Sequence, residues 1–319
     1  MFKLKKMAYR LHRSSALCSA CAKLDLSPGA HTPGIAHLEP KERRKVGSTP
    51  SCPLCRLVRL VEPYTPEGEF RWSSKRGFYR GISNFSPYDF DRIVFVDEEH
   101  CERPPQLCGR IIASQADMEL LKTWLRSCEH VHGAQCAPNP DVVYTPHSSP
   151  GGLKTFRVID VENMCIVDAE PGCRYLALSY TWGQVPSPSL LKANKTELMT
   201  PHGLEPLHEK LPKTLRDAFH LVKLMGEKFI WTDRLCLVQD DQDDMQRGIQ
   251  KMDLVYEGSV LCVVAAAGVD GDGGLPGVHA GERKVTQQVE EIRPGLRLVK
   301  VPNLHRELGG AYYMKRGWT

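Results

Sequence analysis

Two pairs of cysteines near the amino terminus carry the plainest chemistry in this sequence. Cys18-x2-Cys21 and Cys52-x2-Cys55 offer four thiolates on two hooks, the donor set of a tetrahedral zinc site. The 30 residues between the hooks exceed the ~15–20 of common zinc modules. The second hook also runs into the apolar Leu57-Val-Arg-Leu-Val61, so ordinary buried thiols beside a packed helix are the competing reading. Cys128-x3-His132-x3-Cys136 has metal-binding residue types at a spacing that fits no common finger. In the second half, Asp233 follows directly on the run Phe229-Ile-Trp-Thr232. A carboxylate there could contact a ribose hydroxyl, act as acid or base, or orient a partner donor; it could also cap the next turn. Ser179, Tyr180, Trp182 and Trp231 are the candidates to line a crevice beside it, against the plainer reading of the two tryptophans as core. Cys236 has no His at a recognisable spacing to activate it, which favours a buried thiol over a nucleophile.

These side chains need elements that bring them to one edge. Phe156-Arg-Val-Ile-Asp-Val161 and Tyr175-Leu-Ala-Leu-Ser-Tyr180 read as strands. Apolar residues at 211, 215, 218, 219, 222 and 225 form a helical stripe, with Pro212 in its first turn and Gly226 as its cap. A short buried strand over 228–232 follows. A helix over 243–257 then presents Met245, Ile249, Met252, Val255 and Tyr256 on one face, and Val260–Ala266 is the next strand. The acidic run 240–244 suits the start of that helix better than a calcium loop, and Asp270-Gly-Asp-Gly-Gly274 suits a turn. This alternation predicts an α/β fold, a parallel-type sheet flanked by helices, whose carboxyl edge gathers ligands.

Composition narrows the class. The chain has 319 residues, 41% hydrophobic and 25% charged, and a formal net charge of +4. That balance suits a soluble globular protein, and so mild a charge with no basic stripe gives no footprint for nucleic acid. No apolar run approaches the ~20 residues of a membrane helix. The amino terminus lacks the apolar core of a secretory signal, so twelve cysteines point to a reducing compartment, here the cytoplasm. Six basic residues precede the first acid, Asp25, which suits a solvated arm better than a presequence. A Pro/Ser/Gly cluster over 137–152 divides an irregular, Cys-containing amino-terminal region (1–150) from a regular carboxyl-terminal domain (151–319). Gly-x-Gly-x-x-Gly, Walker A, His-Glu-x-x-His and Gly-x-Ser-x-Gly are all missing from the sequence.

The blocks Arg157-Val-Ile-Asp-Val161, Leu176-Ala-Leu-Ser-Tyr-Thr-Trp-Gly183, Leu211-Pro212, Trp231-Thr-Asp-Arg-Leu-Cys-Leu-Val-Gln239, Met252…Tyr256 and Arg316-Gly-Trp-Thr319 follow one another in order. Together they resemble the fungal heterokaryon incompatibility (HET) domain. Arg234 stands where that family has a small residue, and the sequence stops before the Gln-Glu that completes its last block. The amino-terminal cysteines are similar to what precedes such domains. The resemblance implies a cytoplasmic effector of self/non-self recognition and innate immunity, driven by protein partners and linked to programmed cell death. It also implies a fold related to Toll/interleukin-1 receptor (TIR) and flavodoxin-like domains, hence the alternative of an NAD-cleaving enzyme. A third reading, from the cut last block, is an inactive truncated remnant. Zinc is the one cofactor suggested.

Overall fold

The computed structural model describes residues 10–12, 16–24, 45–61, 70–73, 77–80, 91–96, 108–132, 136, 153, 155–284 and 286–315. The 137–152 cluster, apart from Leu153 just beyond it, and the 316–319 block lie outside the described residues. The chain divides into two compact units, Met1–Ser114 with Arg283–Gly310, and Gln115–Glu282 with Ala311–Thr319. Among the described residues, no helix is long and apolar enough to cross a membrane.

The first unit is built on a mixed sheet of β1 (Arg10–His12), β2 (Phe70–Ser73), β3 (Gly77–Arg80), β4 (Arg92–Val96) and β5 (Cys108–Gly109), completed by β11 (Gln288–Arg293) and β12 (Leu296–Val301). Its order is β1-β11-β12-β4-β3-β2, with β5 on β4. Helix α1 (Pro53–Leu60) packs Leu54, Leu57 and Val58 with Ile93, Ile292 and Leu298. Its Arg56 reaches the fully buried Glu290 through two hydrogen bonds of 2.8 and 2.7 Å. A buried carboxylate survives only when paired in this way. Asp91 is likewise buried and held by Lys300 (2.8 Å) and Arg306 (2.7 Å).

The second unit carries the other sheet, of β6 (Arg157–Asp160), β7 (Cys165–Asp168), β8 (Leu176–Tyr180), β9 (Phe229–Trp231) and β10 (Leu261–Ala265), in the order β10-β8-β9-β6-β7. β10, β8 and β9 run parallel, whereas β6 is antiparallel to both β9 and β7. The sheet is therefore mixed, which corrects the expectation of a parallel-type sheet. The cause is local: residues 161–164 make a turn too short for a parallel crossover. Asp160 Oδ1 accepts the Glu162 and Asn163 N–H groups (2.9 Å each) there, and Met164 takes φ 45°. β8 is buried along its whole length, as a central strand covered on both faces must be. β10, at the edge, exposes Cys262 and Val264.

Helices α2 (Met118–His130) and α4 (Lys213–Met225) pack beside one another, and α4 lies against β8 and β9. α4 buries Leu215, Ala218, Phe219 and Val222, and Gly226 closes it at φ 75° with its N–H on the carbonyls of Val222 and Lys223. Short α3 (Lys195–Leu198) precedes it, and short α5 (Asp233–Cys236) follows β9. The helix expected over 243–257 is two, α6 (Gln242–Gln250) and α7 (Met252–Glu257), broken at Lys251. The break turns Ile249 outward, 45% exposed, while Val255 stays fully buried. Asp241 caps α6 by accepting from the Asp243 and Asp244 N–H groups, and Asp244 pairs with buried Arg157. The acidic run thus serves helix initiation and an ion pair.

Candidate functional site

The chain passes from β8 through α4 to β9, and from β9 through α6 and α7 back to β10 on the other side of β8. In doubly wound folds ligands gather at the carboxyl ends of the strands beside such a reversal, so the side chains at the ends of β8 and β9 are the candidate crevice. Asp233 stands at the end of β9, half-buried, as the first residue of α5. Its Oδ1 accepts the Trp182 indole N–H at 3.1 Å, the Arg234 N–H at 2.8 Å and the Thr232 hydroxyl at 3.4 Å. Arg234, only 8% exposed, lays its guanidinium 3.8 Å from the centre of the Trp182 ring. Its Nε donates to the Tyr180 hydroxyl at 3.2 Å. Trp182 is therefore held twice, by hydrogen bond to one residue and by cation–π contact with the next. Asp233 acts here on a protein group, orienting an aromatic side chain at the sheet edge.

A second set of hydroxyls lies at the same end of β8. Ser179 Oγ is 2.6 Å from the Tyr313 hydroxyl and also hydrogen-bonds Tyr256. Burial pushes the Tyr256 phenol up to about 12, so it stays protonated at neutral pH. The Tyr256 ring meets Trp231 edge-on, with centroids 5.7 Å apart. Trp231 itself is 1% exposed and packs in the core, so its ring faces protein. Cys236 is also 1% exposed, its thiol pushed up to about 12 by burial, a state without nucleophilic thiolate.

A glycine loop fixes the turn after β8. Gly183 turns the chain at φ 64°, and a Cβ there would sit 2.4 Å from Asp270 Cβ. Gly271 donates its N–H to the Trp182 carbonyl (3.2 Å) and accepts from the Thr214 N–H (3.0 Å). Asp272 Oδ1 takes the Lys213 N–H at 3.0 Å. The end of β8, the loop and the start of α4 are stitched together by these bonds. Asp270–Gly274 is thus a turn.

Three residues that sequence reasoning did not assign to this site belong to it: Arg234, Tyr256 and Tyr313. Arg234 had a signal, because it stands beside Asp233 where the family the chain resembles has a small residue. Tyr313 had none, since its short 3-10 turn (Tyr312–Lys315) meets β8 from 134 residues away. A separate cleft of about 650 Å³ is lined by His208, Lys213, Arg216, Asp217, His220 and His279 and shares none of the crevice residues. Its Asp217 is buried and bridged by Lys213 (2.7 Å) and His279 (3.2 Å), and His220 stacks on His279 at 4.6 Å.

In the first unit the four hook thiols converge. The sulfurs of Cys18, Cys21, Cys52 and Cys55 all lie within 4.8 Å of one another. Cys21, Cys52 and Cys55 are fully buried and Cys18 is half-buried, with no disulfide among them. Cys128, His132 and Cys136 also bring their ligand atoms within 4.8 Å, at a largely exposed position.

The second unit is thus an α/β domain whose polar and aromatic side chains converge at the carboxyl edge of parallel strands. A family model described as Heterokaryon incompatibility protein (HET) matches residues 175–319, which include every residue of that crevice. The chain carries a heterokaryon incompatibility domain over those residues. No curated protein and no solved structure matches the chain.

Proposed function

We propose that this chain is a cytoplasmic fungal effector of heterokaryon incompatibility, acting with protein partners to bring about cell death, and that the Trp182–Asp233–Arg234 crevice is its working surface. One observation carries this reading: the segments that follow β8 and β9, both within the matched residues, interlock through Trp182 and Asp233. A buried core needs no such construction; an indole fixed at a sheet edge by a carboxylate and a guanidinium is a recognition device. Ser179 and Tyr180 form its floor, and Trp231 backs it through Tyr256.

A second reading rests on strand order. The three parallel strands stand third, first, second in chain order, the arrangement at which doubly wound folds bind nucleotides. TIR-like kinship and NAD cleavage belong to this reading. Induced expression of the chain in a filamentous fungus separates the two. Arrest at constant NAD, lost in Asp233→Ala, supports a signalling effector. A fall in NAD that depends on Asp233 supports nucleotide cleavage. Growth unaffected by the wild-type chain, with every partner-bearing strain tried, contradicts both.

A further inference from the structure

We infer that Cys18, Cys21, Cys52 and Cys55 form a closed, four-thiolate zinc site that holds the amino-terminal segment onto helix α1 and completes the core of the first unit. Zinc bound by four thiolates at ~2.3 Å sets its sulfurs about 3.8 Å apart along every edge of the tetrahedron. Cys18 and Cys55 sulfurs stand 3.8 Å apart and those of Cys21 and Cys55 3.6 Å apart, and no pair exceeds 4.8 Å. Two hooks separated by 30 residues have been closed onto one point.

The two hooks are built alike. In each, the first cysteine precedes a helical turn and the second lies within it: the 3-10 turn Cys21–Lys23 follows Cys18, and α1 follows Cys52 at its cap position. Cys52 makes no side-chain capping bond there, which leaves its sulfur to the cluster. The backbone N–H of Gly47 points at Cys55 Sγ at 3.1 Å, the outer-sphere hydrogen bond that orients a thiolate ligand. Gly47 needs its φ of 94° to make that approach.

Position makes the metal structural. The three buried sulfurs sit in the same apolar cluster as Leu24, Leu54, Leu57, Ile93, Ile292 and Leu298. Four protein ligands leave no open position for a substrate, and only the Cys18 edge is partly exposed. The four cysteines lie outside residues 175–319 and none of them belongs to the crevice, so the inference does not rest on the function proposed there.

The test is metal content of the full chain, purified under reducing conditions without chelator. One zinc per chain is expected, falling to none in the Cys21→Ser and Cys55→Ser variants. The double variant Cys128→Ser/Cys136→Ser should keep its one zinc, which separates this cluster from the exposed one. Cobalt added to chelator-treated wild-type protein guards against variants that fail to fold. It should give the sulfur-to-metal charge-transfer and visible bands of a tetrahedral thiolate site. Purified protein without stoichiometric metal, with all four thiols alkylated under native conditions, overturns the inference. So does zinc that survives Cys21→Ser but leaves with Cys128→Ser/Cys136→Ser.

Discussion

Replacing Asp233 by alanine should loosen the crevice without unfolding the domain. Alanine removes the acceptor of the Trp182 indole N–H at 3.1 Å and of the Arg234 N–H at 2.8 Å. A hydrogen bond to a charged group contributes about 1.5–3 kcal/mol when buried, and less at this half-buried position. Two such bonds, with water replacing part of each, put the loss at about 2 kcal/mol. In a unit of this size that lowers Tm by about 4–8 °C. Asp233→Asn keeps an acceptor oxygen but loses its charge, so its cost should be about half. Thermal unfolding followed by tryptophan fluorescence reads both, and the native spectrum should shift red only in the alanine variant as Trp182 is released. If alanine costs less than about 0.5 kcal/mol, the carboxylate does not hold the indole. If asparagine and alanine both yield insoluble protein, Asp233 is a folding residue and the crevice loses its organiser.

Gly183→Ala should cost more than Gly226→Ala, although both glycines have positive φ, 64° and 75°. Each alanine bears the left-handed penalty of about 1–2 kcal/mol, but only at 183 does the new Cβ meet Asp270 Cβ at 2.4 Å. Equal Tm losses would mean that the glycine loop does not press on the turn after β8. Burial, and then the charge of His279, holds the His220 imidazole below its usual range, with nearby Asp217 opposing and Lys223 adding to the effect. The unfolded chain therefore binds the extra proton first, near pH ~6.5. Stability should fall as pH drops from about 7 through that value, and His220→Gln should flatten the profile of Tm against pH. An unchanged profile would remove the stacked pair from the account.

The alternation of apolar runs and a helical stripe made β8, α4, β9 and β10 legible, because each is a short buried segment with a period of its own. The antiparallel hairpin of β6 and β7 was not. Cys165–Asp168 is only four residues long, and the direction of β6 depends on a turn whose left-handed residue is Met164 rather than glycine. Pairing of β12 with β4, some 200 residues apart, is a long-range choice that no local pattern encodes. In the crevice, Trp182 and Asp233 could be suspected from their place after apolar strands, yet their hydrogen bond could not. Trp231 illustrates the limit of residue type: strand position sends its ring into the core, while Trp182, one turn beyond a strand, remains half-buried at the edge. Arg234 reads as a departure from the HET pattern, and its contact with the Trp182 ring becomes visible only in three dimensions.

Trp182→Phe tests the central claim most directly. Phenylalanine keeps a ring for Arg234 to cover but has no N–H for Asp233. In a fungal host expressing equal amounts of folded protein, Trp182→Phe should lose growth arrest to the same degree as Asp233→Ala. The double variant should be no weaker than either single one, because both break one interaction. Full arrest by Trp182→Phe, with Asp233→Ala inactive, would show that the carboxylate acts on something other than the indole and would contradict the account.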